Sequence, residues 1–402
     1  MKITDVEPIV VTVPFEAPIR WAFGVRTGTT RTIVKVSTDE GIVGLGETYG
    51  GRVTALVIEN LKPLVIGEDP FKIERIVSKF VGFTGGHRSG GNLPLGEFIH
   101  FAGIEIACWD IMGKALNTPV CNLIGGRGRK KIPFSAFVFY RYKSEEGVGG
   151  ESTPRDIVRY CSDLIDECGF KTLKLKGGVF HPKVEVETIK ELRETFGEEI
   201  GLRIDPNAIW SVETSIRVGR ALEKYNLEYL EDPTWNLRGM AEVRKKVNIP
   251  LSTNMCCTSL DLLPSALKLG AIDVQLADLF QWGGILNSKK LAAIAETFQL
   301  GLSMHSNAEL GVSTAAMLHY AAATPYLTYA LDQHYHHHVD DVITKPFVYK
   351  DGCMTLPDGP GLGVELDDDK VEKYSKLTRE KGEARHTFDP YRPDWIPLQP
   401  SW

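Results

Sequence analysis

Lys174-Leu175-Lys176-Gly177-Gly178, Ile204-Asp205-Pro206-Asn207, Tyr229-Leu230-Glu231-Asp232-Pro233 and Ser252-Thr253-Asn254 punctuate the stretch from residue 174 to residue 254. Each fragment is a short apolar run that stops at a charged or amide residue. The stops recur at nearly even intervals: 29 residues from Lys176 to Asp205, then 26 to Glu231 and 23 to Asn254. The rhythm continues with 24 residues to Asp278, 27 to His305 and 27 to Asp332. An interval in the twenties holds one strand, one crossover helix and two short loops. Residues 212–225, 235–247 and 287–298 fill three of the gaps with apolar side chains at helical spacing. Repeated strand–helix units with right-handed crossovers build a parallel sheet, and about eight of them close into a barrel. Functional side chains of such a barrel come from the C-terminal ends of different strands. The spacing therefore predicts that Lys176, Asp205, Glu231, Asn254, Asp278, His305 and Asp332 meet at one mouth.

Outside the repeat the chain changes character. Residues 1–125 read as an α+β unit, with strands at 9–13, 32–36 and 42–46 and helical patterns at 53–65, 71–81 and 98–116. Asp39-Glu40-Gly41 turns a hairpin. Gly44 and Gly46 form no dinucleotide fingerprint, because no helix opens there and the third glycine is missing. Three loops hold candidate lid residues for an anionic ligand: 18–30 with Arg20, Trp21 and Arg26, 49–52, and 84–92 with His87 and Arg88. A basic, glycine-rich link at 125–131 leads into the first barrel strand at 132–137. The expected organisation is a capping domain at 1–125, a barrel at 126–345 and a C-terminal segment at 346–402 that packs back on the capping domain. Within that segment, 347–349 and 353–356 suggest a hairpin.

Composition sets limits. With 402 residues, 43% hydrophobic and 24% charged, the chain has ample core for a globular protein. A formal charge of −6 supplies no basic field for nucleic acid or an anionic membrane. No apolar run reaches the ~18 residues of a membrane span, and the N-terminus lacks the apolar core of a signal peptide. Seven scattered cysteines, none in a CxxC pair, fit a reduced, cytoplasmic protein.

The strand ends carry a chemistry. Asp205, Glu231 and Asn254 are hard oxygen donors, a set suited to Mg²⁺ rather than zinc, although such residues also cap helices. Lys174 and Lys176 share one strand face, and burial with mutual repulsion would lower both pKa values towards those of a general base. Asp278 beside His305 would fix the imidazole tautomer. In the run 334–338 consecutive histidines cannot all face one ion, and His334 alone holds the strand-end register. A base on each side of a metal describes removal of a proton α to a carboxylate, with the metal acting as Lewis acid.

With Lys174-Leu-Lys176-Gly-Gly-Val179, Asp205-Pro-Asn207, Glu231-Asp-Pro233, Thr253-Asn254-Met255, Leu276-Ala-Asp278 and His305-Ser-Asn307, the chain resembles the enolase superfamily. Within its mandelate racemase group it is most similar to the glucarate dehydratase type of acid-sugar dehydratase, because an asparagine stands at the third metal position. The resemblance implies an α/β fold, a modified TIM (β/α)7β barrel with an N-terminal α+β capping domain completed by the C-terminal segment. It implies Mg²⁺ on Asp205, Glu231 and Asn254, and catalysis by Lys176 and the His305–Asp278 pair. Substrate contacts fall to Lys174, Asn207, Ser306, Asn307, Asp332 and His334. Ala136-Phe137 on the first barrel strand and the C-terminus Gln399-Pro-Ser-Trp402 depart from the type, both where the far end of the sugar is expected. The implied reaction is dehydration of a glucarate-like or aldonate substrate, through an enediolate, to a 2-keto-3-deoxy acid; racemisation or epimerisation and an idle binding protein are the alternatives. The expected partner is a small sugar acid, with no nucleic acid or membrane, in a chain that can associate with copies of itself.

Overall fold

The computed structural model describes residues 1–83, 97–384 and 389–402. Apolar alternation over the first fifty residues builds a three-stranded antiparallel sheet of β1 (Ile3–Trp21), β2 (Gly24–Thr38) and β3 (Val43–Tyr49), in that order. The first two strands are far longer than the sequence suggests. The expected loop at 18–30 is instead a hairpin with Arg20 opposite Val25 and Trp21 opposite Gly24. Pro8, Pro14 and Pro18 hide the pattern, since proline reads as a strand breaker; Pro8 keeps the register opposite Val34, and Pro14 and Pro18 fall in the irregularity at 14–19. Helices α1 (Arg52–Val65), α2 (Ile73–Phe83), α3 (Glu97–Ala115) and α4 (Val120–Leu123) follow. Gly44 and Gly46 serve packing: a Cβ on Gly46 would run into the Gly103 carbonyl of α3, and one on Gly44 into that of Ala107. The lid residues His87 and Arg88 lie outside the described residues.

Then the repeat takes over. Strands β4 (Lys131–Val138), β5 (Thr172–Lys176), β6 (Gly201–Asp205), β7 (Tyr229–Glu231), β8 (Leu251–Thr253), β9 (Val274–Ala277), β10 (Gly301–Met304) and β11 (Leu331–Gln333) alternate with α5 (Pro154–Cys168), α6 (Pro182–Phe196), α7 (Val212–Leu222), α8 (Leu237–Arg244), α9 (Leu263–Leu269), α10 (Ile285–Thr297) and α11 (Gly311–Ala322). The strands pair in parallel in the order β10-β9-β8-β7-β6-β5-β4-β11. The ends of that path meet where Ser303 Oγ donates to the Ala330 carbonyl at 2.8 Å and Thr328 N to the Leu302 carbonyl at 3.0 Å. Eight parallel strands and seven intervening helices make the (β/α)7β barrel. Local chemistry sets each helix. Thr153 and Asp156 form a capping box at the start of α5, Pro154 follows, and Gly169 closes it at φ 74°.

Leu173 and Leu175 join the apolar layer between strands and helices. Strand alternation therefore sends Lys174 and Lys176 the other way, into the barrel. That interior is polar: Ser135, Lys174, Arg203, Asp205, Glu231, Gln275, Ser303 and Asp332 are all buried.

Two cap carboxylates lock onto barrel helices. Glu47 accepts from Leu310 N (2.7 Å) and Ser313 N (2.9 Å) at the start of α11. Glu105 accepts from Ile285 N and Leu286 N, both at 2.9 Å, at the start of α10. A buried carboxylate at a helix N-terminus satisfies free N–H groups and the helix dipole together.

The C-terminal segment divides. The expected hairpin reduces to a Lys350–Cys353 bridge around Asp351 and Gly352. The residues beyond it, β12 (Cys353–Thr355), pair antiparallel with the start of β4, because the buried Met354 finds its apolar contacts under the barrel. Helix α12 (Asp368–Lys381) lies on β1, with Val371 and Tyr374 joining Val11 and Val13. The last residues do not return to the cap. Ser401 N donates to the Ile209 carbonyl, and Ser211 N to that of Trp402, both at 2.9 Å, in the loop after β6. All seven cysteines are free. Among the described residues no helix is long and apolar enough to cross a membrane.

Candidate active site

Seven strand ends deliver the side chains. Lys176 ends β5 and pairs with Asp205 at the end of β6. Lys174, deeper on β5, contacts Glu231 at the end of β7 and Asp332 on β11, the latter at 2.5 Å. Asn254 follows β8, Asp278 follows β9 and His305 follows β10. The loops leaving these strands are tightly bent. Asn207, Ala208, Asp232 and Ala308 all take positive φ, at 53°, 57°, 33° and 66°. Such backbone costs of order 1–3 kcal/mol per residue and gathers at functional sites. Asp232 shows what the bend achieves: it accepts from Asn254 N at 2.8 Å, Met255 N at 3.1 Å and the Thr253 hydroxyl, which fixes the loop that presents Asn254.

The mouth holds a cavity of about 280 Å³. Lys176, Asn207 and Asn254 line it from one set of strands and His305, Ser306, Asn307 and His334 from another; Trp21, Arg26 and Tyr49 close it from the cap. Lys174, Asp205, Glu231, Asp278 and Asp332 lie beneath these groups, 1% exposed or less. A larger groove of about 600 Å³, between 343–347 and 355–365, contains neither Lys174 and Lys176 nor the buried carboxylate cluster. Volume alone thus misleads; the chemistry sits in the smaller space.

Electrostatics divide the groups. Burial works against ionisation of Asp205, yet Lys176 and Lys174 hold its pKa down at about 2. Glu231 is pushed well above the carboxylate range, by burial and then by Asp205. Lys174 departs from expectation. Burial alone would lower its pKa, but Asp332, Glu231 and Asp205 outweigh it and the pKa is raised. The carboxylates that neighbouring strands bring to the same spot outweigh mutual lysine repulsion at Lys174.

Two adjacent buried carboxylates and an amide form an all-oxygen set. In the orientation where the Asn254 amide nitrogen donates, it lies 3.1 Å from Glu231 Oε1 and 3.2 Å from Asp232 Oδ2. Asn207 adds a buried Oδ1 with no partner, while its N and Nδ2 donate to Asp205 at 2.8 and 3.3 Å. Among the described residues no three carboxylate, imidazole or thiolate groups gather as a metal site. The set that does gather is hard and acidic, and its chemistry fits a small divalent cation such as Mg²⁺.

Across the ring, His305 Nδ1 lies 3.1 Å from Asp278 Oδ2, and Asn307 Nδ2 donates to the same oxygen. Burial first, then Lys176 and Lys174, hold the imidazole pKa well below its ordinary value. Asp278 is raised by burial to about 6, although Gln281 N, Phe280 N and Asn307 donate to it. Ser306 Oγ donates to Glu309 at 2.6 Å and meets His334 Nδ1 at 2.8 Å. His336 and His337 turn away from the cavity, each placing Nε2 3.0 Å from the Phe137 carbonyl.

Several placements were not anticipated. Asp332 does not line the cavity; Lys174, Arg203 Nη1 (3.1 Å) and Ser135 Oγ (2.7 Å) occupy it. Arg203 was legible in principle, standing two residues before Asp205 as Lys174 stands two before Lys176. Glu309, three residues after Ser306, carried no such signal. Arg20 is stacked between Tyr142 and Phe180, 4.6 Å from each ring centroid, away from the cavity.

The sequence and fold have close counterparts. Residues 4–125 match the mandelate racemase / muconate lactonizing enzyme N-terminal domain, and residues 156–370 the enolase C-terminal domain-like family. A probable glucarate dehydratase of Streptomyces coelicolor is 37% identical, over 93% of each chain. An N-succinyl-L-Arg/Lys racemase of Bacillus cereus is 29% identical, over 93% of this chain and 98% of its own. Among solved structures, an enolase of Mycobacterium smegmatis complexed with tartrate superposes with TM-score 0.93 at 38% identity, covering 100% of this chain and 98% of that one. An enolase of Thermobispora bispora complexed with magnesium and formate gives TM-score 0.93 at 40% identity, with 100% of both chains covered. Two domain matches spanning most of the sequence, on a capped (β/α)7β barrel, mean that this chain belongs to the enolase superfamily.

Proposed function

We propose that the protein is a Mg²⁺-dependent acid-sugar dehydratase, which removes the proton α to a carboxylate and expels the β-hydroxyl to give a 2-keto-3-deoxy acid. One observation carries the reading: Lys176 and His305, the latter backed by Asp278, enter the same small cavity from β5 and β10, three strands apart one way round the ring and five the other. Asp205, Glu231 and Asn254 would hold the Mg²⁺, which when bound supplies Lewis-acid stabilisation of the charge that develops on the substrate carboxylate. Relatives complexed with tartrate, itself a hydroxy acid, and with magnesium support both halves of the proposal.

The chain's own groups divide the remaining work. Lys174 is held cationic by three carboxylates and sets the positive potential under the reacting end. His305 is neutral, so its outer nitrogen can take a proton and, once it is the imidazolium, hand that proton on, while Asp278 fixes the tautomer and stabilises the imidazolium that forms. Lys176 serves the opposite face of the α-carbon. Asn207, Asn307 and the Ser306–His334 pair offer neutral hydrogen-bonding groups to hydroxyls. Trp21 and Tyr49 exclude water from above.

Bases on both faces also suit 1,1-proton transfer, and a racemase stands among the relatives; epimerisation is the second reading. Incubating sugar acids with the Mg²⁺-loaded protein and trapping product with semicarbazide separates the two. Dehydration predicts a 2-keto acid, whereas an inverted α-centre with no semicarbazone would select epimerisation instead.

A further inference from the structure

The tip of the cap hairpin sets Arg26 in the wall of the cavity lined by Lys176, Asn207 and His305. The residue is only 9% exposed. Its Nε has no partner, and among the described residues its guanidinium makes no hydrogen bond or ion pair. Among the described residues its close contact is the Trp21 ring, 4.6 Å below the guanidinium carbon. Cation–π contact contributes up to about 2 kcal/mol, whereas burying an unpaired ion costs several.

Two other buried arginines settle that cost with carboxylates, and Arg31, whose Nε and Nη2 have no hydrogen-bond partner, still has Glu47 Oε1 4.0 Å from its Nε. Arg141 bonds Glu151 through Nε and Nη2, at 2.7 and 2.9 Å. Arg203 is held by Glu228 at 2.6 Å and Asp332 at 3.1 Å. Arg20 also lacks an anion, but two aromatic faces enclose it and it does not reach the cavity. Burial lowers the Arg26 pKa to about 10, so the group stays a cation at neutral pH. Glu309 is a nearby carboxylate, but it is engaged by Ser306 Oγ and Asn307 N at 2.6 and 2.8 Å. A fork of free donors in a water-poor wall matches one ligand group best: a second carboxylate.

We propose that Arg26 docks the far carboxylate of the substrate, so that the site prefers dicarboxylic sugar acids to the monocarboxylic acids matched to them in configuration. The inference rests on reading the site as one for acid sugars and deepens it. At about 280 Å³ the cavity suits a short acid, its reacting end over Lys174 and its distal end at the cap. Ala136 and Phe137, which set this chain apart from the glucarate dehydratase type, then mean only that the far carboxylate is held from the cap rather than from the first barrel strand.

The test compares six-carbon aldaric acids with their matched aldonic acids on the Mg²⁺-loaded wild-type protein, Arg26→Gln and Arg26→Lys. It reads both kcat/KM and the dissociation constant by calorimetry. The wild type is expected to favour a diacid by about 30-fold or more. Arg26→Gln should erase that ratio, chiefly through weaker diacid binding, with less than about threefold change for the aldonic acid; Arg26→Lys should restore part of it. Equal losses on both acids, or a wild type indifferent to the second carboxylate, would overturn the proposal. If no acid is turned over, the dehydratase reading fails, and the binding ratio still decides the role of Arg26.

Discussion

His305 Nδ1 and Asp278 Oδ2 lie 3.1 Å apart at the ends of adjacent strands, with Asn307 and two backbone N–H groups fixing the carboxylate from behind. The pair is thus pre-aimed: the nitrogen bonded to Asp278 is settled, and the other serves the cavity. Asp278→Asn should keep the packing but present the wrong tautomer, lowering kcat on the order of 10³-fold or more with an unchanged circular dichroism spectrum. A loss below tenfold would remove Asp278 from the mechanism.

The opposed bases predict a split between exchange and turnover. Lys176→Ala and His305→Asn should each abolish dehydration while the fold is retained. Followed by NMR in D₂O, the variant that keeps the abstracting base should still wash deuterium into the α-position. Wild-type turnover in either variant contradicts the assignment.

On the proposed assignment Asn254 supplies an amide as third oxygen donor, which moderates the charge at the metal position. Asn254→Ala should weaken Mg²⁺ binding at least tenfold by calorimetry, whereas Asn254→Asp should tighten it, because another anion joins Asp205 and Glu231. Chelation should abolish activity, and Mg²⁺ should restore it. An unchanged affinity in Asn254→Ala would exclude the residue as a donor.

Glu105 is a structural counterpart to these residues. Its carboxylate accepts from Ile285 N, Leu286 N and, at 2.7 Å, Trp109 Nε1. Glu105→Ala leaves three donors unmet, one buried and two part-buried, and should lower stability by about 3–5 kcal/mol in urea denaturation, more than Glu105→Gln. A cost under about 1 kcal/mol would mean that the cap docks by apolar contact alone.

Acid sensitivity has an identifiable source. His319 is buried and neutral, accepting from Cys121 N at 3.2 Å through Nδ1, with Nε2 3.1 Å from the Leu362 carbonyl. Burial lowers its pKa to about 4. The unfolded chain therefore binds the proton more readily. His319 contributes roughly 3 kcal/mol, fully present above its unfolded pKa of about 6.5 and lost as pH falls from there through 4. His319→Gln should flatten the slope of Tm against pH in that window; an unaltered slope would assign the acid loss to other groups.

The sequence made the barrel legible because its polar punctuation follows strand ends, and few architectures besides repeated strand–helix units carry a period in the twenties. Most of the candidate site residues followed, since one register placed their strand ends at one rim; Asp332 lies below it. What escaped depended on neighbours distant in sequence. The lysine at 174 reads as a suppressed base until Asp332, 158 positions away, is found bonded to it. Arg26 looks like a loop residue until β1 and β2 are seen to pair up to Trp21 and Gly24. The final residues, apolar and proline-rich, gave no hint that they would lie against the loop after β6.

The most direct measurement is ¹H NMR of the Mg²⁺-loaded wild-type protein with a panel of aldaric and aldonic acids in D₂O. The account predicts, for at least one diacid, loss of the C2 proton signal and growth of a 2-keto-3-deoxy acid deuterated at C3. Intact C2 protons and no keto product across a panel that the protein demonstrably binds would contradict it.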